Sequence, residues 1–425
     1  MNIEEIYKIY QKFPSVQTDS RSLRENEIFF ALKGPNFNGN DFAKKALELG
    51  AAFVVADEVI DGEDKRIIKV DNVLQTLQQL AKYHREQFQI PFIAITGSNG
   101  KTTTKELIHQ VLSTTYKTYT TKGNLNNHIG IPLTILTIRP DAQMAVIEMG
   151  ANHLNEIAGY CVYAKPLYGL ITNIGKAHLE GFGSVGNVKK GKGELFEYLH
   201  THHGTAFVNT DDASVFELGS QLKNAVFYGS KSEGLKGKIL TNDPFIEVEI
   251  SGRSSFNIQT RLVGAYNLPN VLAATCIGQY FKVSDENIRK AIENYHPTNS
   301  RSELIRKDSN TIILDAYNAN PGSMKAAIEN FANMKGNKKI LLLGSMMELG
   351  TDSEKEHEAI ITLLDQHPWE AVALVGKNFS SISHPYLNFE NSAQAGTWLK
   401  KINPKNTLIL IKGSRSMQME KALSL

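Results

Sequence analysis

The chain has 425 residues, 41% hydrophobic and 21% charged, a balance that excludes disordered and fibrous classes and fits a folded globular protein. Its 46 basic residues nearly match its 44 acidic ones, so no broad basic surface for nucleic acid is expected and any phosphate must be bound locally. At roughly 150 residues per domain, the length implies about three domains.

In chain order, MNIEEIYKIYQKF reads as an amphipathic helix with no long apolar run, unlike a secretory leader. No stretch reaches the roughly 18 consecutive apolar residues of a membrane span, so stable membrane insertion is not expected. Cys161 and Cys276 are too few for a disulfide framework or a zinc cluster, and both sit in apolar surroundings. They fit buried thiols in a reducing compartment, and the cytoplasm is the expected location.

From Ile28 to Val55 the pattern is strand (IFFAL), glycine-containing loop, helix (AKKALELG) and strand (AAFVV), closed by the helix LQTLQQLAKYHREQF near Pro91. A second unit opens with the strand PFIAIT, breaks at GSNGKTTT and resumes as the helix KELIHQVLS. The apolar strands MAVIEMG and YGLITNIG share this layout and imply a mostly parallel sheet with helices on its faces. Alternation in FIEVEI and SFNIQTRLVG predicts antiparallel strands added to that sheet, and the helix NLPNVLAATCIGQYF follows. His296-Pro297 reads as a linker. Beyond Thr311, TIILD, KILLLG, AVALVG and TLILIKG alternate with helical stretches, as in a doubly wound domain. The expected fold is therefore α/β in three domains. These are a small N-terminal α/β domain (1–89), a central P-loop-type domain with a mostly parallel sheet (90–296) and a C-terminal Rossmann-like domain (297–425).

The sharpest local signal is FIAITGSNGKTTTKE, Phe92 to Glu106. Strand, glycine loop and helix start occur in the order that lets backbone N–H groups surround a polyphosphate. Gly97, Ser98, Asn99, Gly100, Lys101, Thr102 and Thr103 are the expected nucleotide-binding residues, Lys101 reaching the terminal phosphates and Thr102 holding magnesium. Ile95 stands where the common G-x-x-x-x-G-K-[ST] form has glycine, so the loop is shorter and opens at Gly97. Glu148 and His178 each follow an apolar strand at the same sheet edge, where a carboxylate and an imidazole can complete a magnesium site. The cluster His200, His202, His203 lies in a polar turn and reads as solvated.

The T-G-S-N-G-K-T string resembles the signature of the Mur ligases and the related folylpolyglutamate synthetases. GANH and AHLEGFGS are similar to the D-alanyl-D-alanine-adding branch of the Mur family, and the likeness extends from Asp19 to Met419. This resemblance implies an amide-forming, ADP-releasing ligase with ATP and magnesium as cofactors. Its substrates would be UDP-N-acetylmuramoyl-tripeptide and D-alanyl-D-alanine, and a monomer is expected. It implies metal ligation by Thr102, Glu148, His178 and a carbamylated Lys192, and catalytic roles for Lys101 and Arg301. It places Asn267 and Asn270 near adenine, and Arg301, Asp315 and Asn318 near the ribose and phosphates. Ser20 and Arg21 are expected at the uridine diphosphate. Asn124, Asn126 and Asn127 are expected along the muramoyl-peptide cleft, with Lys412 and Arg415 at a substrate carboxylate or phosphate. The chain departs from the family pattern with Tyr266 for histidine, His128 for aspartate and Ser345 for aspartate. Another Mur-type or folylpolyglutamate-type ligase, or a non-catalytic nucleotide-binding regulator, remains an alternative on the loop alone.

Overall fold

In the computed structural model, which describes residues 1–62, 64–298 and 300–423, the continuous apolar runs become inner strands of three main sheets. Phe92–Thr96 is buried at every position and pairs in parallel with Tyr168–Ile171 on one side and Met144–Glu148 on the other. Strands covered on both faces need apolar side chains on both, which is why the run does not alternate. Beyond Tyr168–Ile171 the sheet continues in parallel through Thr205–Asn209, Ala225–Gly229 and Leu235–Asn242. It ends in the antiparallel strands Phe245–Ser251 and Phe256–Val263, as their alternation predicts. Thr118–Thr120 forms the other edge of this nine-stranded sheet. The strand order reverses around Phe92–Thr96, so the carboxyl ends of three neighbouring strands open into one crevice, where open α/β sheets bind ligands.

The six-stranded sheet contains the four expected strands, with Asn310–Asp315 beside Leu408–Lys412 in a register that sets Asp315 against Lys412. Glu303–Lys307 is added antiparallel at one edge and Leu387–Phe389 at the other. The first has only two apolar residues and the second is only three residues long, so periodicity does not mark them.

The N-terminal sheet holds four parallel strands. The sequence pattern makes the helix Val73–Arg85 its closing element, but that helix also packs against Gly130–Leu136 and Glu156–Ala164 beside the middle sheet. Buried Arg85 fixes this junction by donating to the carbonyls of Ala164 at 3.0 Å, Lys165 at 3.1 Å and Phe88 at 2.8 Å. It thereby satisfies carbonyls at the end of a helix that has no further turn to do so. Periodicity reveals that a helix has a buried face and does not say which neighbour covers it.

His84 sits in the same junction, 5% exposed. Its Nε2 lies 2.9 Å from the Ile138 carbonyl and its Nδ1 3.1 Å from the Tyr7 hydroxyl. A carbonyl only accepts, so Nε2 carries the proton and Nδ1 accepts from Tyr7, which describes a neutral ring. Burial pushes its pKa down from 6.5 to about 4. The unfolded ring binds a proton first, so this contribution to stability is whole above pH 6.5 and is lost as pH falls toward 4. Melting His84→Gln beside the wild type between about pH 7 and pH 4.5 should show an acid loss smaller by about 2 kcal/mol in the variant. Equal losses would remove His84 as the cause.

Candidate active site

The crevice begins with a loop that two glycines make possible. Gly97 (φ +139°) and Gly100 (φ +76°) hold backbone angles that disfavour side chains, and a Cβ on Gly97 would lie 2.0 Å from the Thr172 hydroxyl. The helix expected from Lys105 starts earlier, at Lys101, because Gly100 turns the chain directly into it. Lys101 and Thr102 are therefore in its first turn, whose unpaired N–H groups and positive dipole end face the crevice.

Residues far away in sequence clamp this loop. The Asn99 N–H donates to Asn173 Oδ1 at 2.9 Å, while Asn173 Nδ2 and the Thr172 hydroxyl donate to the Asn99 carbonyl at 3.0 and 2.6 Å. On the other side the Thr104 hydroxyl donates to Asn270 Oδ1, Asn270 donates to Asn267 Oδ1, and Asn267 donates to the Val263 carbonyl, each at 2.9 Å. Asn267 and Asn270 line the cavity, but these bonds commit their amides to holding the helix start. The Lys101 ammonium donates to the loop carbonyls of Gly97 at 2.7 Å and Ser98 at 3.3 Å, and burial lowers its pKa.

Glu148 ends the adjacent strand and is 1% exposed. Its Oε1 accepts from the Thr102 hydroxyl at 3.1 Å and from Asn126 Nδ2 at 2.8 Å. Its Oε2 is buried with no hydrogen-bond partner; the ammonium of Lys105, which donates to the Thr121 carbonyl, lies 3.8 Å away. A buried carboxylate oxygen left bare beside a threonine hydroxyl whose oxygen can still accept fits a hard cation. Among the described residues no three His, Cys, Asp or Glu side chains cluster as a metal cage. Magnesium suits such a site, because it takes one or two protein oxygens and keeps phosphate and water oxygens for the rest.

Lys192 lies behind the Ala151 wall of the cavity, fully buried, with its amine donating to the Ala151 carbonyl at 2.8 Å. Burial, followed by the positive charge of Lys101, pushes its pKa well below the ordinary lysine value. Such an amine is neutral enough to act as a nucleophile. His178 lines the cavity, with Nδ1 2.5 Å from Glu348 Oε2.

The opposite wall comes from the six-stranded sheet. The Arg301 guanidinium lies 3.5 Å over the Tyr317 ring, and Asn320 Nδ2 donates to Asn99 Oδ1 at 2.8 Å, joining the two sheets at the loop. Asp315 accepts from the Ser302 N–H at 3.1 Å and pairs with buried Lys412 at 2.5 Å. Asn318 lines the same wall. Asn124, Asn126, Asn127 and His128 line the far end, where Asn127 Oδ1 accepts from the Ile129 and Gly130 N–H groups ahead of the helix Gly130–Leu136. The cavity so enclosed has a volume of about 600 Å³.

Three residues expected at the substrate do not line this cavity. Arg21 is exposed and paired with Asp19, Ser20 lies in the same turn, and Arg415 is exposed beside Glu420. Ser345, which replaces an aspartate of the family pattern, is buried with its hydroxyl on the Val375 carbonyl. His200, His202 and His203 are exposed at a helix end, as expected. Sequence reasoning missed Lys105, Thr172, Asn173 and Glu348. The only sequence signal for Thr172 and Asn173 was their place just after a strand next to the loop.

A phosphate-type loop at the reversal of a parallel sheet, next to a bare buried carboxylate and faced by a second sheet, defines a nucleotide-binding α/β protein. Three family descriptions match the chain: Mur ligase family, catalytic domain over residues 12–85; Mur ligase middle domain over 95–278; and Mur ligase, glutamate ligase domain over 300–415. The chain is 34% identical to the UDP-N-acetylmuramoyl-tripeptide--D-alanyl-D-alanine ligase of Bacillus subtilis, covering 95% of this chain and 91% of the relative. It superposes on a crystal structure of MurF from Acinetobacter baumannii with a TM-score of 0.89, at 30% identity over 98% of this chain and 97% of the other. For MurF from Thermotoga maritima in complex with ADP the TM-score is 0.87, at 26% identity over 96% of each chain. The protein belongs to the Mur ligase family.

Asn173→Ala would free the Asn99 N–H and leave the Asn99 carbonyl to the Thr172 hydroxyl alone. Calorimetry with ADP should show binding weakened about 10-fold, the equivalent of one or two hydrogen bonds. Unchanged affinity would mean that the loop keeps its shape without this clamp.

Proposed function

We propose that this protein is an ATP-dependent, ADP-forming ligase that joins the amine of D-alanyl-D-alanine to the terminal carboxylate of UDP-N-acetylmuramoyl-tripeptide, a late step in peptidoglycan precursor synthesis. The carrying observation is the convergence, in one cavity, of the Gly97–Thr103 loop, Glu148 and the Arg301 wall, with a depressed-pKa lysine directly behind. The names of the full-length relatives and the ADP-bound neighbour support the same reading.

A free carboxylate is a poor electrophile, so the tripeptide oxygen first attacks the γ-phosphorus of ATP and ADP leaves. The dipeptide amine then attacks the acyl carbon of the acyl phosphate, phosphate leaves and the amine proton is lost. Lys101 and Arg301 offset charge on the transferring phosphoryl oxygens, and the first-turn N–H groups orient the triphosphate. Asp315 and Asn318 hold the ribose side, and Asn267 and Asn270 support the helix start beside the adenine. Thr102 and Glu148 would hold magnesium, with His178 and a carbamate on Lys192 as further ligands; when bound, the ion neutralises phosphate charge. The carbamate replaces a repelling ammonium by an anionic oxygen donor. The cleft at Asn124, Asn126 and Asn127 takes the muramoyl peptide, Ser20 and Arg21 the uridine diphosphate, and Lys412 and Arg415 a substrate carboxylate or phosphate. In this reading the units 1–89, 90–296 and 297–425 move as domains, and closure of the third excludes water that would hydrolyse the acyl phosphate. No helix among the described residues is long and apolar enough to cross a membrane, and we infer a monomer working in the cytoplasm.

The test incubates protein, ATP and muramoyl-tripeptide with candidate dipeptides and identifies product by mass. Phosphate release should require D-alanyl-D-alanine; equal release without it would point to a simple ATPase. Lys192→Ala should lose most turnover, on the order of 100-fold, while still binding ATP. Preserved turnover in that variant removes the carbamate from the account.

A further inference from the structure

In the cavity that holds the Gly97–Thr103 loop, the middle and C-terminal sheets meet through a contact that the reaction above leaves unused. His178 and Glu348 both hold left-handed backbone angles, φ +53° and +62°, which are uncommon for residues with side chains and persist only where the surroundings enforce them. These angles bring Nδ1 of the ring to 2.5 Å from Glu348 Oε2. The Glu348 carbonyl also accepts from the Glu180 N–H at 3.1 Å, so side chain and main chain make the contact together. A carboxylate only accepts, which places a proton on Nδ1 and, in a neutral ring, leaves the lone pair on Nε2. A metal-ligating histidine is commonly oriented in this way by a carboxylate on its other nitrogen.

The geometry points to Glu348 as a positioning residue, supplied by the C-terminal sheet, that orients His178 and fixes its tautomer for magnesium only when the two sheets are closed on each other. Closure and metal binding are then linked, each favouring the other by the same factor. The inference rests on the reading of His178 as a magnesium ligand. Glu348 does not touch the ion; it acts through the ring.

The test uses the full chain and calorimetric titration of magnesium in the presence of a non-hydrolysable ATP analogue, beside the half-saturating magnesium concentration in phosphate release. Glu348→Ala should weaken magnesium binding about 10-fold while affinity for the analogue without metal stays the same, which also reports that the variant is folded. Glu348→Gln keeps a carbonyl to accept from Nδ1 and should recover most of the loss. Lys176→Ala removes the neighbouring ion pair with Glu356 across the same interface, leaves the ring alone and should show wild-type magnesium affinity. Wild-type magnesium affinity in Glu348→Ala, no recovery in Glu348→Gln, or an equal loss in Lys176→Ala each overturns the inference. His178→Ala separates the two levels. Unchanged magnesium affinity there takes the histidine out of the metal site altogether, whereas a loss there with none in Glu348→Ala overturns the positioning role alone.

Discussion

A carboxylate oxygen removed from water without a hydrogen bond is unfavourable, and Glu148 Oε2 is such an atom. The surrounding arrangement keeps it that way. Asn126 and Thr102 engage the other oxygen, Thr121 receives the backbone N–H of Glu148, and the nearest ammonium, on Lys105, stands off at 3.8 Å while bonded elsewhere. Lys192 presents the complementary problem, an amine buried with a single carbonyl for a partner. A carboxylate with one bare oxygen and an amine with one carbonyl acceptor, both buried, cost stability, and proteins retain such groups where chemistry uses them.

The sheet order puts these groups in one place. Loop, Glu148 and Thr172-Asn173 are the carboxyl ends of three adjacent parallel strands, so their spacing follows from the hydrogen-bond ladder and does not depend on flexible loops. The second sheet adds what a single sheet lacks, a polar wall with Arg301 opposite the loop. Asn320 on Asn99, Glu348 on His178 and Lys176 on Glu356 hold the two sheets together. These contacts are polar and partly exposed, which suits an interface that opens and closes.

The parts of this arrangement legible in the sequence were those with local signatures. Runs such as Phe92–Thr96 and Met144–Glu148 showed the buried strands, alternation showed Phe245–Ser251, and the glycine-lysine-threonine order showed the loop. Glu148 and His178 could be chosen because they follow strands at one edge. What stayed hidden was pairing over distance: Asn173 acts on Asn99 across 74 residues, and Glu348 on His178 across 170. Neither residue type is distinctive where it stands. Lys105 looked like the start of a helix because threonines resemble a loop, and the turn at Gly100 moved that start back to Lys101. Similar strings suggested substrate-side roles for Ser20, Arg21 and Arg415, which do not line this cavity; Arg415 stands next to it, its guanidinium 6.0 Å from the Tyr317 ring.

The central claim, that the bare oxygen of Glu148 is built to meet a metal beside the triphosphate, is tested most directly by locating that metal. Crystals grown with manganese and a non-hydrolysable ATP analogue would give an anomalous peak independent of turnover. The account predicts a peak within about 2.2 Å of both Glu148 Oε2 and Thr102 Oγ1, close to the coordination distance of magnesium. A well-occupied nucleotide with its metal bound elsewhere, and Glu148 Oε2 still unmet, would contradict it.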